Sequence, residues 1–398
     1  MSSSRERAVA DRLRIGIVCY ASYGGSGAVA AELAISLAQR GHEISVLSDE
    51  VPFRLAPTDN VEFHALETVS YPVFKYPPYT LTTTCKMIEV AQCSQLDILH
   101  VHYAIPFSIC AHLAREVCGP CKLKTVVTLH GTDITLVGQD RRFFQMTRFG
   151  MDSADGLTAV SEYLAGETVK VFDTKQRPQV IYNAVDVNRF VPADQWNGQV
   201  ASYYLPLAKL RARLTGGDPT VKLIAHASNF RAVKNIPDVV RTFEIIHRHL
   251  PSRLLLLGEG PEVATARQMA REMKIEKDVL FLDKQRYIEN YLPLADLFLL
   301  PSAHESFGLA ALEAMSCGVP VVATEIGGIG EVVTHGVDGF LCRVGDYQCM
   351  GAEALKTLTN PAFHQQMRKA ARQKAVTKFV PEIITPQYEA LYRELLAR

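Results

Sequence analysis

The sequence lacks long apolar runs and has no excess of either charge. No uninterrupted apolar stretch in its 398 residues approaches the length of about 18 that a membrane-spanning helix needs. The 42 basic residues balance 42 acidic ones, and no basic block is long enough to form a patch that binds nucleic acid. We therefore expect a cytoplasmic protein with no integral membrane segment and no nucleic-acid partner.

Cysteine is present but predicts no disulfide framework, because nine cysteines, an odd number, are spread along a long chain. The spacing of Cys118 and Cys121 resembles the redox motif of thioredoxin. In that fold the motif follows a strand and opens a helix, whereas here it follows the predicted helix 107–117 and precedes the predicted strand 125–129. A redox protein is therefore a less favoured alternative function, and a dinucleotide-dependent dehydrogenase is another.

Metal-ligand patterns are also missing from the sequence. Cys110, His112, Cys118 and Cys121 lack the second C-x-x-C or the H-x-x-x-H pair that would complete a zinc site. No D-x-D sequence follows an apolar strand. We therefore predict that the protein needs neither a metal ion nor another cofactor.

Short apolar strands alternate with helical patterns along most of the chain, which predicts an α/β fold with doubly wound parallel sheets. The chain is too long for one ordinary core, so we expect two domains. Residues 184–220 lose the periodicity and contain several prolines and glycines, which is typical of a connector. We predict a first domain of residues 1–183 and a second of residues 184–379. The C-terminal helix, residues 380–398, is expected to pack back on the first domain.

The stretch 304–320 has two carboxylates, Glu305 and Glu313, around an apolar run that predicts a helix. If Glu305 precedes the helix and Glu313 lies in it, they are at most about 12 Å apart, close to the length of a nucleotide sugar from sugar to ribose. Free backbone N–H groups at residues 307–309 would lie between them and suit a pyrophosphate. Two solvated surface glutamates are the alternative, but Glu305 follows the apolar strand 297–300, where open α/β sheets bind ligands.

Other predicted strands are also followed by residues that suit a ligand. Arg231 and Lys234 follow the strand 221–227 and can converge on one anion, although surface solvation is the alternative for each. Glycines follow the first strand, 14–20, but do not form the dinucleotide-binding fingerprint, and a bare turn is the alternative there. A polar segment, His130-Gly131-Thr132-Asp133, follows the strand 124–129.

The strand 97–103 carries His100 and His102 on one face. As a metal pair they lack a third ligand. We interpret them as side chains that line a cleft or as buried hydrogen-bonding groups.

With these segments the chain resembles the retaining glycosyltransferases of family 4, which have the GT-B fold of two facing Rossmann-like domains with a cleft between them. Within the family the closest resemblance is to enzymes of bacillithiol biosynthesis that transfer N-acetylglucosamine from UDP-GlcNAc to the hydroxyl group of L-malate. The resemblance rests on Gly24-Gly25-Ser26, His130-Gly131-Thr132-Asp133, Asn229-Phe230-Arg231 with Lys234, Gly258-Glu259-Gly260-Pro261, Glu305 to Glu313, Gly327-Gly328 with Glu331, and Gly339-Phe340. The malate assignment rests on Cys19-Tyr20, Val51 to Leu55, Phe74 to Tyr79, and His130 to Thr135.

The resemblance also implies roles for individual residues. The catalytic residues are His130, beneath the sugar ring, Arg231 and Lys234 on the departing diphosphate, and Glu305 on the sugar hydroxyls. The nucleotide-sugar-binding residues are Gly25, Ser26, Asn229, Gly258, Glu259, Ser306, Phe307, Gly308, Leu309 and Glu313, the last on the ribose. The acceptor-binding residues are Ser26, Lys75, Tyr103, Thr132 and Arg148.

The resemblance implies a reaction with retention at the anomeric carbon, and because no residue matches a covalent nucleophile we expect no covalent intermediate. The acceptor then attacks on the face from which the phosphate leaves. The resemblance also favours a homodimer. Another small acceptor, such as inositol phosphate or a sugar phosphate, is the nearest alternative. A catalytically silent binding module is a further alternative, and the intact set of Arg231, Lys234, Glu305 and Glu313 argues against it.

Overall fold

The computed structural model describes residues 12–21, 25–67, 73, 75–120, 122–196 and 206–398. These residues form two compact units, which we describe separately. The first unit runs to Ala184 and includes the C-terminal segment Pro381–Arg398, and the second is Val185–Val380. The chain thus leaves the first unit once and returns to it for its last helix.

In the first unit the described residues form one parallel sheet with helices around it. The strand order is β3-β2-β1-β4-β5-β6-β7. The strands are β1 (Arg14–Val18), β2 (Glu43–Ser48), β3 (Val61–Ala65), β4 (Ile98–His102), β5 (Lys124–Leu129), β6 (Gly156–Ala159) and β7 (Gln179–Val180). The helices are α1 (Gly25–Gln39), α2 (Tyr79–Cys93), α3 (Phe107–Cys118), a π-helical turn (Asp133–Val137), α4 (Phe144–Asp152), α5 (Glu162–Phe172) and, at the C-terminus, α13 (Pro381–Ala397). The strand order reverses between β1 and β4, where such sheets bind ligands.

The second unit repeats this architecture in its described residues, with the order β10-β9-β8-β11-β12-β13 and parallel pairing throughout. The strands are β8 (Lys222–Ala227), β9 (Ser252–Leu257), β10 (Val279–Phe281), β11 (Leu297–Leu300), β12 (Val321–Thr324) and β13 (Gly339–Cys342). The helices are α6 (Leu207–Thr215), α7 (Ile236–His247), α8 (Val263–Glu272), α9 (Leu309–Ser316), α10 (Ile329–Val332), α11 (Tyr347–Leu358) and α12 (Pro361–Lys378), with single 3-10 turns at Ala193–Gln195, Ala232–Lys234, Ile288–Asn290 and Leu292–Leu294. The predicted pair of doubly wound parallel sheets is confirmed.

The C-terminal helix α13 belongs to the core of the first unit. Its apolar face packs in one cluster with Ile15 and Ile17 of β1, through Ile384, Tyr388, Leu391, Tyr392 and Leu395. Tyr392 is completely buried. Burial of such a face contributes about 25 cal/mol for each Å² of apolar surface removed from water, so α13 is part of the hydrophobic core and not an appendage.

Two features of the second unit differ from the sequence analysis. Part of the expected irregular connector is helix α6, which starts after Pro206 and ends at Gly216, whose φ is +69°. Proline before a first turn and a left-handed glycine after a last turn are helix boundaries, so the residues that suggested a connector mark the helix ends instead. Cys342 and Cys349 form a disulfide bond that links the end of β13 to the first turn of α11, a pairing that we did not predict.

Candidate functional site

The loop after β8 lies at the carboxyl edge of the second unit's sheet. His226 sets the path of this loop. This buried side chain bonds the Leu299 carbonyl through Nδ1 and the Ser228 hydroxyl through Nε2, both at 2.8 Å. Because a carbonyl only accepts, Nδ1 carries the proton and Nε2 accepts from Ser228. The Ser228 oxygen then accepts the Phe230 N–H at 3.2 Å. Burial lowers the pKa of His226 to about 4, so the side chain is neutral at neutral pH while it fixes the loop that leads to Arg231.

The Gly258-Glu259-Gly260 turn after β9 packs directly against the loop after β8. A Cβ atom at Gly258 would clash with the Ser228 carbonyl, and one at Gly260 would clash with the Asn229 carbonyl. Both glycines also have positive φ, at +136° and +156°, a region that side chains disfavour. Two of the predicted nucleotide-binding segments therefore form one surface, with Asn229 and Glu259 exposed on it.

Lys234 and Glu305 form an ion pair at this surface. The distance from Lys234 Nζ to Glu305 Oε2 is 2.8 Å, and the side chains are 22% and 14% exposed. The Ser302 hydroxyl donates to the same carboxylate oxygen at 3.2 Å, and the Gly328 N–H donates to the Glu305 carbonyl at 3.0 Å. Sequence reasoning assigned Lys234 to the phosphate and Glu305 to the sugar, and it missed that the two side chains bind each other.

Helix α9 begins next to this ion pair, at Leu309. Its N-cap is Gly308, whose φ of +97° is left-handed and which has no side chain to cap the first turn. A Cβ atom at Gly308 would clash with Ile329. The N-cap residue thus offers the first backbone N–H groups of the helix no side-chain acceptor, an arrangement that favours an anion.

The two carboxylates of the E-x7-E element occupy different environments. Glu305 lies in the loop before α9, whereas Glu313 lies inside α9 and is only 2% exposed. Ser306 is partly exposed, and the buried ring of Phe307 packs edge-on against Phe379 at 5.7 Å. A buried carboxylate is retained only where hydrogen bonds satisfy it, so Glu313 is a candidate for a specific polar partner and not a solvated surface residue.

Arg231 differs from Lys234 in being exposed. Its backbone is extended, with φ of −84° and ψ of 158°, and it precedes the 3-10 turn that carries Lys234. Within the described residues its guanidinium has no hydrogen-bond or ion-pair partner. A fork of N–H donors without a carboxylate is available to an oxyanion.

In the first unit, Asp133 organises the loop after β5. Its buried carboxylate accepts the backbone N–H groups of Gly131 at 2.7 Å, Ala104 at 3.0 Å and His130 at 3.2 Å. Burial raises the pKa of the Asp133 carboxyl, and these backbone donors oppose that shift. Ala104 follows β4, so one side chain joins the ends of two adjacent strands, a role that sequence reasoning missed.

Three histidines lie side by side behind this loop. His100 bonds the Tyr392 hydroxyl of α13 at 2.7 Å and the Thr128 hydroxyl at 2.6 Å, so both of its nitrogens are satisfied. The His102 ring lies 4.4 Å from the His100 ring, and His102 Nδ1 is 3.0 Å from His130 Nε2. Desolvation lowers the pKa of His100 and of His130 to about 3, and that of His102 well below its usual value. All three imidazoles are therefore neutral at neutral pH.

We expect the urea midpoint of unfolding to fall as the pH is lowered from 6.5 to 5. The unfolded chain binds protons at His100, His102 and His226 below about pH 6.5. In the folded chain burial lowers the pKa of His100 to about 3, that of His226 to about 4 and that of His102 well below its usual value. Because the unfolded state then holds more protons, the free energy of unfolding decreases by about 1 kcal/mol per pH unit for each buried histidine. Between pH 7 and 8 the slope falls towards zero, because the unfolded histidines lose their protons there as well. An unchanged midpoint between pH 7 and pH 5 would contradict this assignment.

Tyr103 and Thr132, two of the predicted acceptor residues, are brought together. The Tyr103 hydroxyl lies 2.6 Å from Thr132 Oγ1, and the left-handed φ of Tyr103, +102°, turns the chain at the end of β4. Gly25 and Ser26 open helix α1 after β1, and Gly24 lies outside the described residues.

Lys75 and Arg148 are also predicted acceptor residues, and each has a different neighbour in the structure. Arg148 donates to the Asp173 carbonyl at 2.9 Å and lies 3.4 Å from the Asp173 carboxylate and 3.7 Å from that of Asp152. The exposed Lys75 has its Nζ 5.5 Å from the centre of the Tyr76 ring. The Arg148 charge is thus offset by two aspartates in this structure.

The cysteine alternative receives no support. Helix α3 ends at Cys118, so the C-x-x-C segment follows a helix as the sequence predicted, and Cys121 lies outside the described residues. Burial raises the pKa of the Cys118 thiol, whereas a redox-active thiol needs a lowered pKa.

Two features are absent from the described part of the chain. No group of three or more histidine, cysteine, aspartate or glutamate side chains there is arranged to hold a metal ion. No helix there is both long and apolar enough to cross a membrane.

Comparison with known proteins identifies two family models along the chain. The model described as Glycosyltransferase Family 4 matches residues 23–189, and the one described as Glycosyl transferases group 1 matches residues 215–374. The N-acetyl-alpha-D-glucosaminyl L-malate synthase of Bacillus anthracis is 43% identical over 386 residues, which cover 97% of this chain and 98% of that protein. The D-inositol 3-phosphate glycosyltransferase of Mycolicibacterium gilvum is 30% identical over 62% of this chain and 54% of its own length.

Solved structures support the fold. Anabaena HepE in complex with UDP and glucose has a TM-score of 0.78 at 20% identity, over 96% of this chain and 99% of that chain. The sucrose-phosphate synthase of Thermosynechococcus elongatus has a TM-score of 0.77 at 20% identity, over 97% and 100%. At this identity the likeness concerns the fold alone, and it confirms the predicted GT-B fold.

Proposed function

The chain belongs to family 4 of the glycosyltransferases, and on that premise we propose that it transfers N-acetylglucosamine from UDP-GlcNAc to the hydroxyl group of L-malate. The observation that carries this proposal is the near-full-length similarity to the Bacillus anthracis synthase. The name of that relative gives the sugar and the acceptor, and UDP as the carrier is our own assignment. The broader prediction, a sugar-transferring enzyme, is confirmed by the family match.

Groups of the second unit support a nucleotide-sugar donor. The guanidinium of Arg231, which has no partner among the described residues, and the first turn of α9, whose N-cap Gly308 has no side chain, suit a diphosphate, which gains negative charge as it departs. We assign the buried Glu313 to the ribose hydroxyls and Glu305 to the sugar hydroxyls. Lys234 holds the Glu305 carboxylate at 2.8 Å, and we propose that it also faces the phosphate.

Groups of the first unit support a small anionic acceptor. The Tyr103–Thr132 hydroxyl pair offers donors, and Lys75 and Arg148 offer the two positive charges that the carboxylates of malate require. For Arg148 this means that a malate carboxylate replaces Asp173, whose side chain is 93% exposed, as a partner. His130 is assigned to the transferred sugar.

The proposed reaction retains the configuration at the anomeric carbon. The bond from that carbon to the phosphate oxygen breaks, and a bond to the malate hydroxyl oxygen forms on the same face. The departing UDP phosphate takes the malate hydroxyl proton, so the products are UDP and the glycoside. No metal ion is proposed to take part.

The decisive experiment is mass spectrometry and proton NMR of the protein incubated with UDP-GlcNAc and L-malate in EDTA. We expect equal amounts of UDP and of a GlcNAc-malate conjugate with the α configuration. If UDP-GlcNAc stays intact with malate but is consumed with inositol phosphate or a sugar phosphate, the assignment of malate as the acceptor is wrong and the family assignment stands. An inverted product, a trapped glycosyl-enzyme adduct, or activity that appears only with added magnesium would overturn the mechanism.

The same premise leads us to propose a cytoplasmic homodimer. Light scattering of the purified protein should give the mass of two chains. The mass of a single chain would contradict the proposed dimer.

A further inference from the structure

His102 is buried completely and uses only one of its ring nitrogens. Its Nδ1 lies 3.0 Å from His130 Nε2, and its Nε2 has neither solvent contact nor a hydrogen-bond partner among the described residues. The two rings are stacked, with centroids 5.2 Å apart and an interplanar angle of 28°. His102 is thus committed to a single partner, His130, which is partly exposed.

Only one proton arrangement satisfies this pair well. A neutral imidazole has one N–H donor and one lone-pair acceptor. If His130 donated through Nε2, then His102 Nδ1 would accept and the His102 proton would sit on Nε2, as a buried N–H without an acceptor. Orphaned buried N–H groups are rarer in proteins than unpaired acceptors. The proton of His102 therefore belongs on Nδ1, and His130 Nε2 accepts it.

We propose that His102 is a positioning residue that donates from Nδ1 to His130 Nε2, so that His130 carries its own proton on Nδ1. This inference rests on the proposed function only in taking His130 as a residue of the reaction site. It follows that the other ring nitrogen of His130, Nδ1, is a hydrogen-bond donor and not a general base. Such a donor can bind a sugar hydroxyl or the oxygen of the attacking acceptor, but it removes no proton from malate.

The neighbours of the pair make the arrangement rigid. The His100 ring, whose centre lies 4.4 Å from that of His102 at an interplanar angle of 31°, is held from both sides by Tyr392 and Thr128. The backbone N–H of His130 is held by the Asp133 carboxylate. Rotation of the His102 ring by 180° would break its 3.0 Å contact with His130 Nε2, so this contact keeps the His102 ring in its orientation.

Nitrogen-15 NMR of histidine-labelled protein tests the proposal directly. The signals of His130 are assigned by their loss in His130→Asn, and the expected spectrum shows a neutral ring protonated at Nδ1. A ring protonated at Nε2, or an equal mixture of tautomers, would overturn the proposal. This readout requires no turnover, so it is independent of whether GlcNAc is transferred to malate, which the product assay decides separately.

Two substitutions separate positioning from packing. In His102→Asn the side-chain amide replaces the Nδ1–H donor, whereas His102→Leu keeps the volume without a donor. We expect His102→Leu to lower kcat by about tenfold to a hundredfold and to allow protonation of His130 at Nε2, with His102→Asn close to wild type. His249→Leu, which removes an exposed histidine, serves as the control and should leave kcat unchanged. Equal losses in the Asn and Leu variants would indicate a packing role and overturn the proposal.

Discussion

Arg231→Ala is expected to lower kcat for sugar transfer by about a hundredfold to a thousandfold. The guanidinium is exposed and binds nothing else among the described residues, so its removal should not disturb the folded state. Its proposed partner is the diphosphate, whose charge grows as the bond to the sugar breaks. An interaction that strengthens in the transition state lowers kcat more than it raises KM when it is lost. Initial rates at saturating UDP-GlcNAc measure this effect.

Arg213→Ala is the matched control for this prediction. Arg213 is another exposed arginine of the second unit, in helix α6, and its loss should leave kcat unchanged. Arg231→Lys should recover part of the activity, because lysine keeps the charge but not the planar fork of donors. Unaltered kcat in Arg231→Ala, or equal losses in the two alanine variants, would rule out a specific role for Arg231.

The fold was predictable from the sequence because its signals are local. A buried parallel strand is a short apolar run, as in Leu297–Leu300, which Pro301 follows. The same local signals put Glu305 before helix α9 and Glu313 inside it. Since parallel strands of one sheet share an edge at their carboxyl ends, the polar segments after β5, β8 and β11 were recognisable as candidates for the site.

The contacts that organise the site were not predictable because they join distant parts of the chain. Lys234 and Glu305 are 71 positions apart, and His100 and Tyr392 are 292 apart. A sequence pattern carries no information on such pairs until the sheet order is known. One signal was available and was not used: His226 is a polar residue inside the apolar strand Lys222–Ala227. A buried polar side chain in that position has to find partners, and its partners fix the loop of Arg231.

Asp133→Ala is expected to destabilise the first unit by about 3 kcal/mol and to abolish measurable transfer. The carboxylate accepts N–H groups from Gly131, Ala104 and His130, two of them fully buried, and alanine leaves them without an acceptor. Each unsatisfied buried donor costs about 1 to 3 kcal/mol, and relief of the buried charge offsets part of the loss. Urea unfolding followed by circular dichroism measures the change.

Asp140, whose side chain is partly exposed and pairs with the exposed Arg142 in the same loop region, supplies the control, because Asp140→Ala should leave both stability and kcat nearly unchanged. Asp133→Asn should fall between the two alanine variants. Its amide oxygen can accept from either Gly131 or Ala104, while its NH₂ group faces the other N–H donor.

Wild-type stability in Asp133→Ala would show that the carboxylate is dispensable. Wild-type activity in a destabilised Asp133→Ala would show that His130 does not depend on this loop. The predicted joint loss follows because one carboxylate holds both the ends of β4 and β5 and the backbone of His130.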